Sequence, residues 1–246
     1  MEQSDHLSGY IYHMVHVNNL SSIFRQGALL SKEMLSQKGI DPHSIAYESV
    51  QDLRDRIFIW DVSRQRYRSL HNYVPFYFCK HPPMLYVQRN AGIQNQIVFF
   101  VISRAILKDQ GVLFTDGNAS TQQLSRKGGE RAGIVPATNN SPCQRRYRPG
   151  GPCGTNESRS NFYSDVTFLE DLDWAVINGI RRIESLEEHK RIRSAEVLVP
   201  DSLALTKVQC IAVNTERMVQ VVKTIATEYG LPEFAPFISL DPSLFP

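Results

Sequence analysis

The chain has 246 residues, 42% of them hydrophobic, which suits one large or two small globular domains with a real core. A net charge of only +2 argues against a protein that binds nucleic acid along its whole length. No apolar run approaches the roughly 20 residues of a membrane-spanning helix, and the polar start MEQSDHLSG lacks a basic segment followed by an apolar one. The expectation is a cytoplasmic protein with no membrane partner.

In chain order, SGYIYHMVHV reads as a first strand, with β-branched and aromatic residues between polar ones. NNLSSIFRQGALL follows as a helix: Asn18 or Asn19 can cap it, Leu20, Ile23 and Phe24 form its stripe, and Gly27 ends it. Residues 31 to 57 are mixed and polar, with short helices at most. NYVPFYFC is a strand whose Pro75 places it at an edge or a bend. HPPMLYVQ starts a short helix, since proline suits a first turn. QIVFFVIS is a buried strand and GVLFTD a shorter one. DVTFLEDLDWAVING reads as a helix, AEVLVP and KVQCIAVN as strands. TERMVQVVKTIATEYG is a helix capped by Asn214 or Thr215 and stopped by Gly230, and APFISL is a last strand. The fold class is α+β with a mixed or antiparallel sheet, since no regular βαβ alternation appears.

Between these elements, residues 117–162 have the composition of a long loop or insertion. From Arg126 to Arg159 it holds seven basic residues, among them Arg145, Arg146 and Arg148, against Glu130 and Glu157. A basic flexible segment suits either a sequence-independent clamp on nucleic-acid phosphates or a plain surface loop. The clamp reading expects deletion of residues 126–159 to weaken substrate binding and flatten its salt dependence. Four cysteines, Cys79, Cys143, Cys153 and Cys210, form no CxxC pair, so no metal is expected. Neither a GxGxxG nor a P-loop pattern is present.

Four clusters can carry chemistry. His13, His16 and Asn19 sit where the first strand meets a helix N-terminus, which attracts anions; ordinary capping and a satisfied core histidine compete with that reading. Arg54 and Arg56 in YESVQDLRDR suit a diphosphate, because the guanidinium fork matches phosphate oxygens; a solvated face paired with Asp52 and Asp55 is the alternative. The block holding Tyr73, Phe76, Tyr77, Phe78, Met84 and Tyr86 is either core or a platform for a flat ring. Glu196, at the start of the apolar run Val197-Leu198-Val199, is either an edge-strand gatekeeper or a carboxylate aimed into a cleft.

Taken together, YHMVHVNNL, SIAYESVQDLRDR, HNYVPFYFCKHPPMLYV, VLFTD and RIRSAEVLV resemble the successive motifs of the DarT family, toxins that ADP-ribosylate bases in single-stranded DNA using NAD. The match runs through most of the chain apart from about 117–162, and YVPFYFCKHPPMLY is its most specific part. The resemblance implies a single ADP-ribosyltransferase-like domain over 1–246, with a split mixed β core around an NAD cleft. It implies Arg54 and Glu196 as catalytic residues. It implies His13, His16, Asn19, Arg54, Tyr73 and Met84 as NAD-binding residues. Arg56, Arg193 and the basic segment's Arg145, Arg146 and Arg148 are candidates for holding nucleic acid. Val15 stands where some members have threonine, and Asn118 where several have histidine. Thymine is the first choice of base; guanine in DNA, RNA, a protein acceptor, and a non-catalytic nucleic-acid-binding module with the same fold are alternatives. A macrodomain hydrolase that reverses the modification is the antitoxin partner the resemblance implies.

Overall fold

The computed structural model describes residues 5–61, 64–121 and 160–246. Its centre is QIVFFVIS, which forms β6 (Ile97–Ser103) with six consecutive buried residues. A strand that is apolar on both faces must be covered on both, and this one is. β1 (Tyr10–His16) lies antiparallel to it along its full length, from Tyr10↔Ser103 to His16↔Ile97. On the other side lies β11 (Val208–Val213), followed by β12 (Ile238–Leu240), which runs parallel to β11. Beyond β1 come β5 (Tyr73–Tyr77), β9 (Glu196–Pro200), β7 (Leu113–Thr115) and β8 (Phe162–Tyr163), which complete an eight-stranded mixed sheet. The fold is α+β, as the sequence indicates.

The sheet is split between β1 and β5. β5 pairs with β9 over its whole length, from Tyr73↔Pro200 to Tyr77↔Glu196, but meets β1 only at Tyr12↔Tyr77. Of the two readings the sequence allowed for Pro75, an edge or a bend, the edge is excluded: β5 is an interior strand that peels away from its neighbour β1. Proline has no N–H to give to a ladder. In its place the His13 imidazole reaches across, and Nδ1 donates to the Pro75 carbonyl at 2.7 Å. The opening so created holds the site.

The helices wall this opening and cover the faces. α1 (Leu20–Gln26) ends at Gly27, whose φ of 62° is the left-handed conformation a helix stop needs. α2 (Lys32–Gln37) and α3 (Glu48–Asp55) follow. A short pairing of β2 (Ala28–Leu30) with β10 (Ser202–Ala204) and a hairpin of β3 (Phe58–Asp61) with β4 (Arg66–Ser69) flank them. α4 (Pro83–Asn90) starts with proline at its first turn, as expected. α7 (Glu216–Glu228) is capped by Thr215, whose side chain accepts from Met218 N–H, and packs on α1.

Three expectations are corrected. DVTFLEDLDWAVING is not one helix: Val166–Asp171 is a 3-10 turn, Leu172 is extended, and α5 (Trp174–Ile177) is a single turn. Asp165 and Asp173 each draw a nearby backbone N–H to their own side chains, which restarts the chain twice. Asn19 occupies the N-cap of α1 but makes no capping bond, and Asn18 does not cap it either. Finally, α6 (Leu186–Arg193) was unread, although Ser185 and Glu188 spell a capping box and Ser185 accepts from Glu188 N–H at 3.2 Å.

Candidate active site

Glu196 is the first residue of β9, and Arg54 lies in the last turn of α3. The two meet inside the protein. Arg54 Nη1 is 2.9 Å from Glu196 Oε2 and 3.3 Å from Oε1, and the side chains are 9% and 3% exposed. Buried charge survives only when paired and hydrogen-bonded, so each residue accounts for the other. Neither the gatekeeper reading of Glu196 nor the solvated-face reading of Arg54 fits this burial.

The carboxylate is fixed from further directions. Ala119 N–H donates to Oε1 at 3.2 Å. Glu196 N–H donates to Thr115 Oγ1 at 3.0 Å, and that hydroxyl donates to the Gly117 carbonyl at 2.6 Å. Thr115 is fully buried. Its role was not legible, since a threonine ending a short strand looks like ordinary β-branched filling. The same region closes the base of the long segment: Asp116 accepts from Asn161 N and Nδ2 at 2.9 and 2.8 Å, and Ser160 Oγ donates to the Asn118 carbonyl at 2.8 Å. Both stems of the basic segment therefore stand beside Glu196.

A cavity of about 860 Å³ opens at the split, within the range of cofactor-sized sites. His13, Asn19, Arg54, His71 and Tyr73 line it, and residues 39–46 form one wall. Burial pushes His13 down to about 4, so its ring is neutral at neutral pH and Nδ1 carries the proton given to Pro75. Asn19 holds the wall: its Oδ1 accepts from His43 N–H at 2.8 Å and its Nδ2 donates to the His43 carbonyl at 2.9 Å. Arg54 Nη2 is buried and has no hydrogen-bond partner among the described residues. Such an orphaned donor on a nucleotide-sized cavity fits an anionic or carbonyl-rich substrate.

The other candidate residues lie elsewhere. His16 is 3% exposed and does not line the cavity; its Nε2 bonds Gln96 Oε1 at 2.8 Å, and its ring lies tilted against His43 at 4.0 Å between centroids. Met84 packs in a second apolar cluster with Met14 and Leu85, one step behind the wall, where Gln88 ties Met84 to the Ile45 carbonyl. Arg56 is exposed and off the cavity. Arg193 Nη2 is spent on Cys79 Sγ and the His81 carbonyl, at 2.9 and 2.8 Å. Arg145, Arg146 and Arg148 lie outside the described residues, as do Cys143 and Cys153. No group of three or more metal-ligating side chains occurs among the described residues, and no helix there is long and apolar enough to cross a membrane.

The site is thus a cavity in a split mixed sheet, lined by Arg54, with Glu196 paired to that arginine and buried beside it. Two solved structures of the Thermus sp. 2.9 DarT share the fold. The one in complex with ADP-ribosylated ssDNA superposes with a TM-score of 0.72 at 24% identity, covering 100% of both chains. The one in complex with NAD+ has a TM-score of 0.66 at 23% identity, covering 96% of this chain and 97% of that one. The DNA ADP-ribosyl transferase of Thermus sp. (strain 2.9) is 27% identical over 226 residues, which is 89% of this chain and 88% of the relative. A DNA ADP-ribosyl transferase–DNA ADP-ribosyl glycohydrolase fusion protein of Thermosipho africanus is 28% identical over 120 residues, 48% of this chain and 29% of the fusion. The sequence model of the family described as "ssDNA thymidine ADP-ribosyltransferase, DarT" matches residues 12–138 and 153–241. The chain belongs to the DarT family, and it is an NAD-dependent ADP-ribosyltransferase acting on single-stranded DNA. The match also narrows the part without a family counterpart from about 117–162 to residues 139–152, which contain Arg145, Arg146 and Arg148.

Proposed function

We propose that this chain transfers ADP-ribose from NAD to thymine in single-stranded DNA, with Glu196 and Arg54 as the catalytic pair. The single observation that carries the assignment is their buried ion pair, whose Arg54 lines the cavity. Breaking the nicotinamide–ribose bond develops positive charge on the ribose, as in glycoside hydrolysis. A carboxylate held rigid by Ala119 N–H and by the Thr115 bridge stabilises that charge without reorganising. Arg54 holds Glu196 with Nη1 and keeps Nη2 for the substrate. His13, Asn19 and Tyr73 act directly on NAD as cavity residues, while His16 and Met84 act through the wall they support.

The basic segment is assigned to the DNA backbone. Its stems beside Glu196 and its charge both favour contact with the phosphates next to the modified base. Arg56 is exposed and able to join that path. Arg193 belongs to the support of the Cys79–His81 turn. The fused glycohydrolase of the Thermosipho africanus relative supports a partner hydrolase that removes the modification, and with it a toxin–antitoxin role.

The test is incubation with NAD and short DNA, RNA and protein acceptors, followed by mass spectrometry. The expected result is one ADP-ribose added to thymine-containing DNA, absent with Glu196→Ala. Modification of protein or RNA alone, or no turnover of NAD, would overturn the assignment.

A further inference from the structure

The cavity wall carries a second titratable pair that the mechanism above leaves unused. His71 lies in the turn Leu70–Asn72 between β4 and β5, is 6% exposed, and lines the cavity. Its Nδ1 is 2.5 Å from Asp55 Oδ1. A carboxylate only accepts, so the ring proton sits on Nδ1 and the lone pair on Nε2. Nε2 is buried and has no hydrogen-bond partner among the described residues. The same is true of Nη2 of Arg54, the residue before Asp55. One junction holds both: Ile57 N–H donates to the Arg54 carbonyl, and Leu70 N–H to the Ile57 carbonyl.

Buried polar atoms without partners are few in native proteins, and two on one wall of a substrate cavity ask for a ligand. One is an acceptor and the other a donor. Their complement is an N–H beside a C=O, which thymine (N3–H with O2 or O4) and guanine (N1–H with O6) both present; the family's thymidine description favours thymine. Cytosine and adenine present a ring acceptor beside an amino donor, the reverse order, and would set donor against donor at Arg54. Glu196, by contrast, already accepts three hydrogen bonds: both its oxygens accept from Arg54, and Oε1 accepts from Ala119 as well.

We propose that His71, oriented by Asp55, is the group that accepts the N3 proton of the thymine, and so serves as general base of the transfer. The N3–H bond breaks and its proton passes to His71 Nε2, while the N3 electron pair forms the bond to ribose C1′. The C1′–N bond to nicotinamide breaks, and its electron pair stays with the pyridine nitrogen, which leaves neutral. Asp55 stabilises the imidazolium until it returns the proton to solvent. Burial foremost, then the Lys32 charge on α2 and the Arg54 charge on α3, lower the affinity of His71 for a proton, against Asp55, which raises it. The ring is thus neutral and ready to accept at neutral pH.

The inference rests on the transferase reading, so the first arm is wild-type protein with NAD and a thymine oligonucleotide; no adduct there would sink that reading itself. The second arm compares wild type, His71→Gln and Asp55→Asn on oligonucleotides carrying thymine or 5-fluorouracil, with NAD affinity measured separately. Fluorine withdraws electrons and makes N3–H more acidic, so a missing base matters less. His71→Gln is expected to lower kcat on thymine by about 100-fold or more, with NAD affinity unchanged and a clearly smaller loss on 5-fluorouracil. Wild-type kcat should fall with acidity through a pKa below the usual histidine value. That limb should move to still lower pH in Asp55→Asn, an exposed position whose replacement spares the fold. An equal loss on both bases, a loss of NAD affinity with kcat intact, or no acid limb in wild type would overturn the proposal. If His71→Gln fails to fold, the shift of the acid limb in Asp55→Asn decides alone, and an unmoved limb overturns it.

Discussion

Replacing Glu196 should cost stability as well as activity, because the carboxylate neutralises a guanidinium buried to 9% exposure. Unit charges about 4 Å apart attract by about 4 kcal/mol at an effective dielectric of about 20. Removing one partner of a buried pair typically costs about 3–5 kcal/mol, since the other charge is left without compensation. Glu196→Ala also strands the Ala119 N–H. Against a total stability of about 5–15 kcal/mol for an ordinary domain, this loss is large. Removing the carboxylate therefore does not leave the fold as untouched as a strand-edge residue would. Urea denaturation of Glu196→Gln, Arg54→Met and the double variant forms a thermodynamic cycle. The pair predicts that each single change destabilises, and that the double variant is more stable than the sum of the two by about 2 kcal/mol. Additive losses would show that the two side chains do not depend on each other, and would remove the basis for reading them as one unit. Transfer activity should vanish in all three.

Thr115→Val keeps the shape and removes the bridge, leaving Glu196 N–H and the Gly117 carbonyl without Oγ1; a loss of about 1–3 kcal/mol in denaturation and a drop in kcat are expected. Asn19→Ala frees the wall at His43, so KM for NAD should rise about 5-fold, worth about 1 kcal/mol, with kcat nearly unchanged. His13, pushed down from 6.5 to about 4 by burial, makes stability depend on pH. The unfolded chain takes the proton first, so the contribution is complete above about pH 6.5 and is lost as pH falls toward 4, by about 3 kcal/mol at most. Denaturation of wild type and His13→Gln across that window checks it, and identical pH slopes would contradict it.

Strong local patterns carried most of the fold. The apolar run 97–103 could only be an interior strand, and Thr215 and Gly230 bracket α7 in sequence as they do in space. Where side chains compete with backbone, local reading failed. Asp165 and Asp173 broke one helical pattern into two turns, and Asn19 turned its amide to His43 instead of to its own helix. Pro75 carried a true signal, a missing ladder bond, but whether that falls at an edge or inside a split depends on β9, which lies far along the chain. The site was legible only through motif order, because Arg54 and Glu196 are 142 positions apart. His71 escaped notice for the same reason: its partner Asp55 and its place on the cavity arise from the β3–β4 hairpin that folds the chain back.

The most direct test of the central claim locates the bond that forms. Purified protein is given NAD and a single-stranded oligonucleotide with one thymine. Tandem mass spectrometry then follows the adduct while released nicotinamide is counted. The expected result is one ADP-ribose on the thymine for each nicotinamide released, and neither product with Glu196→Gln. Nicotinamide release without a DNA adduct, or an adduct that persists in Glu196→Gln, would contradict the account.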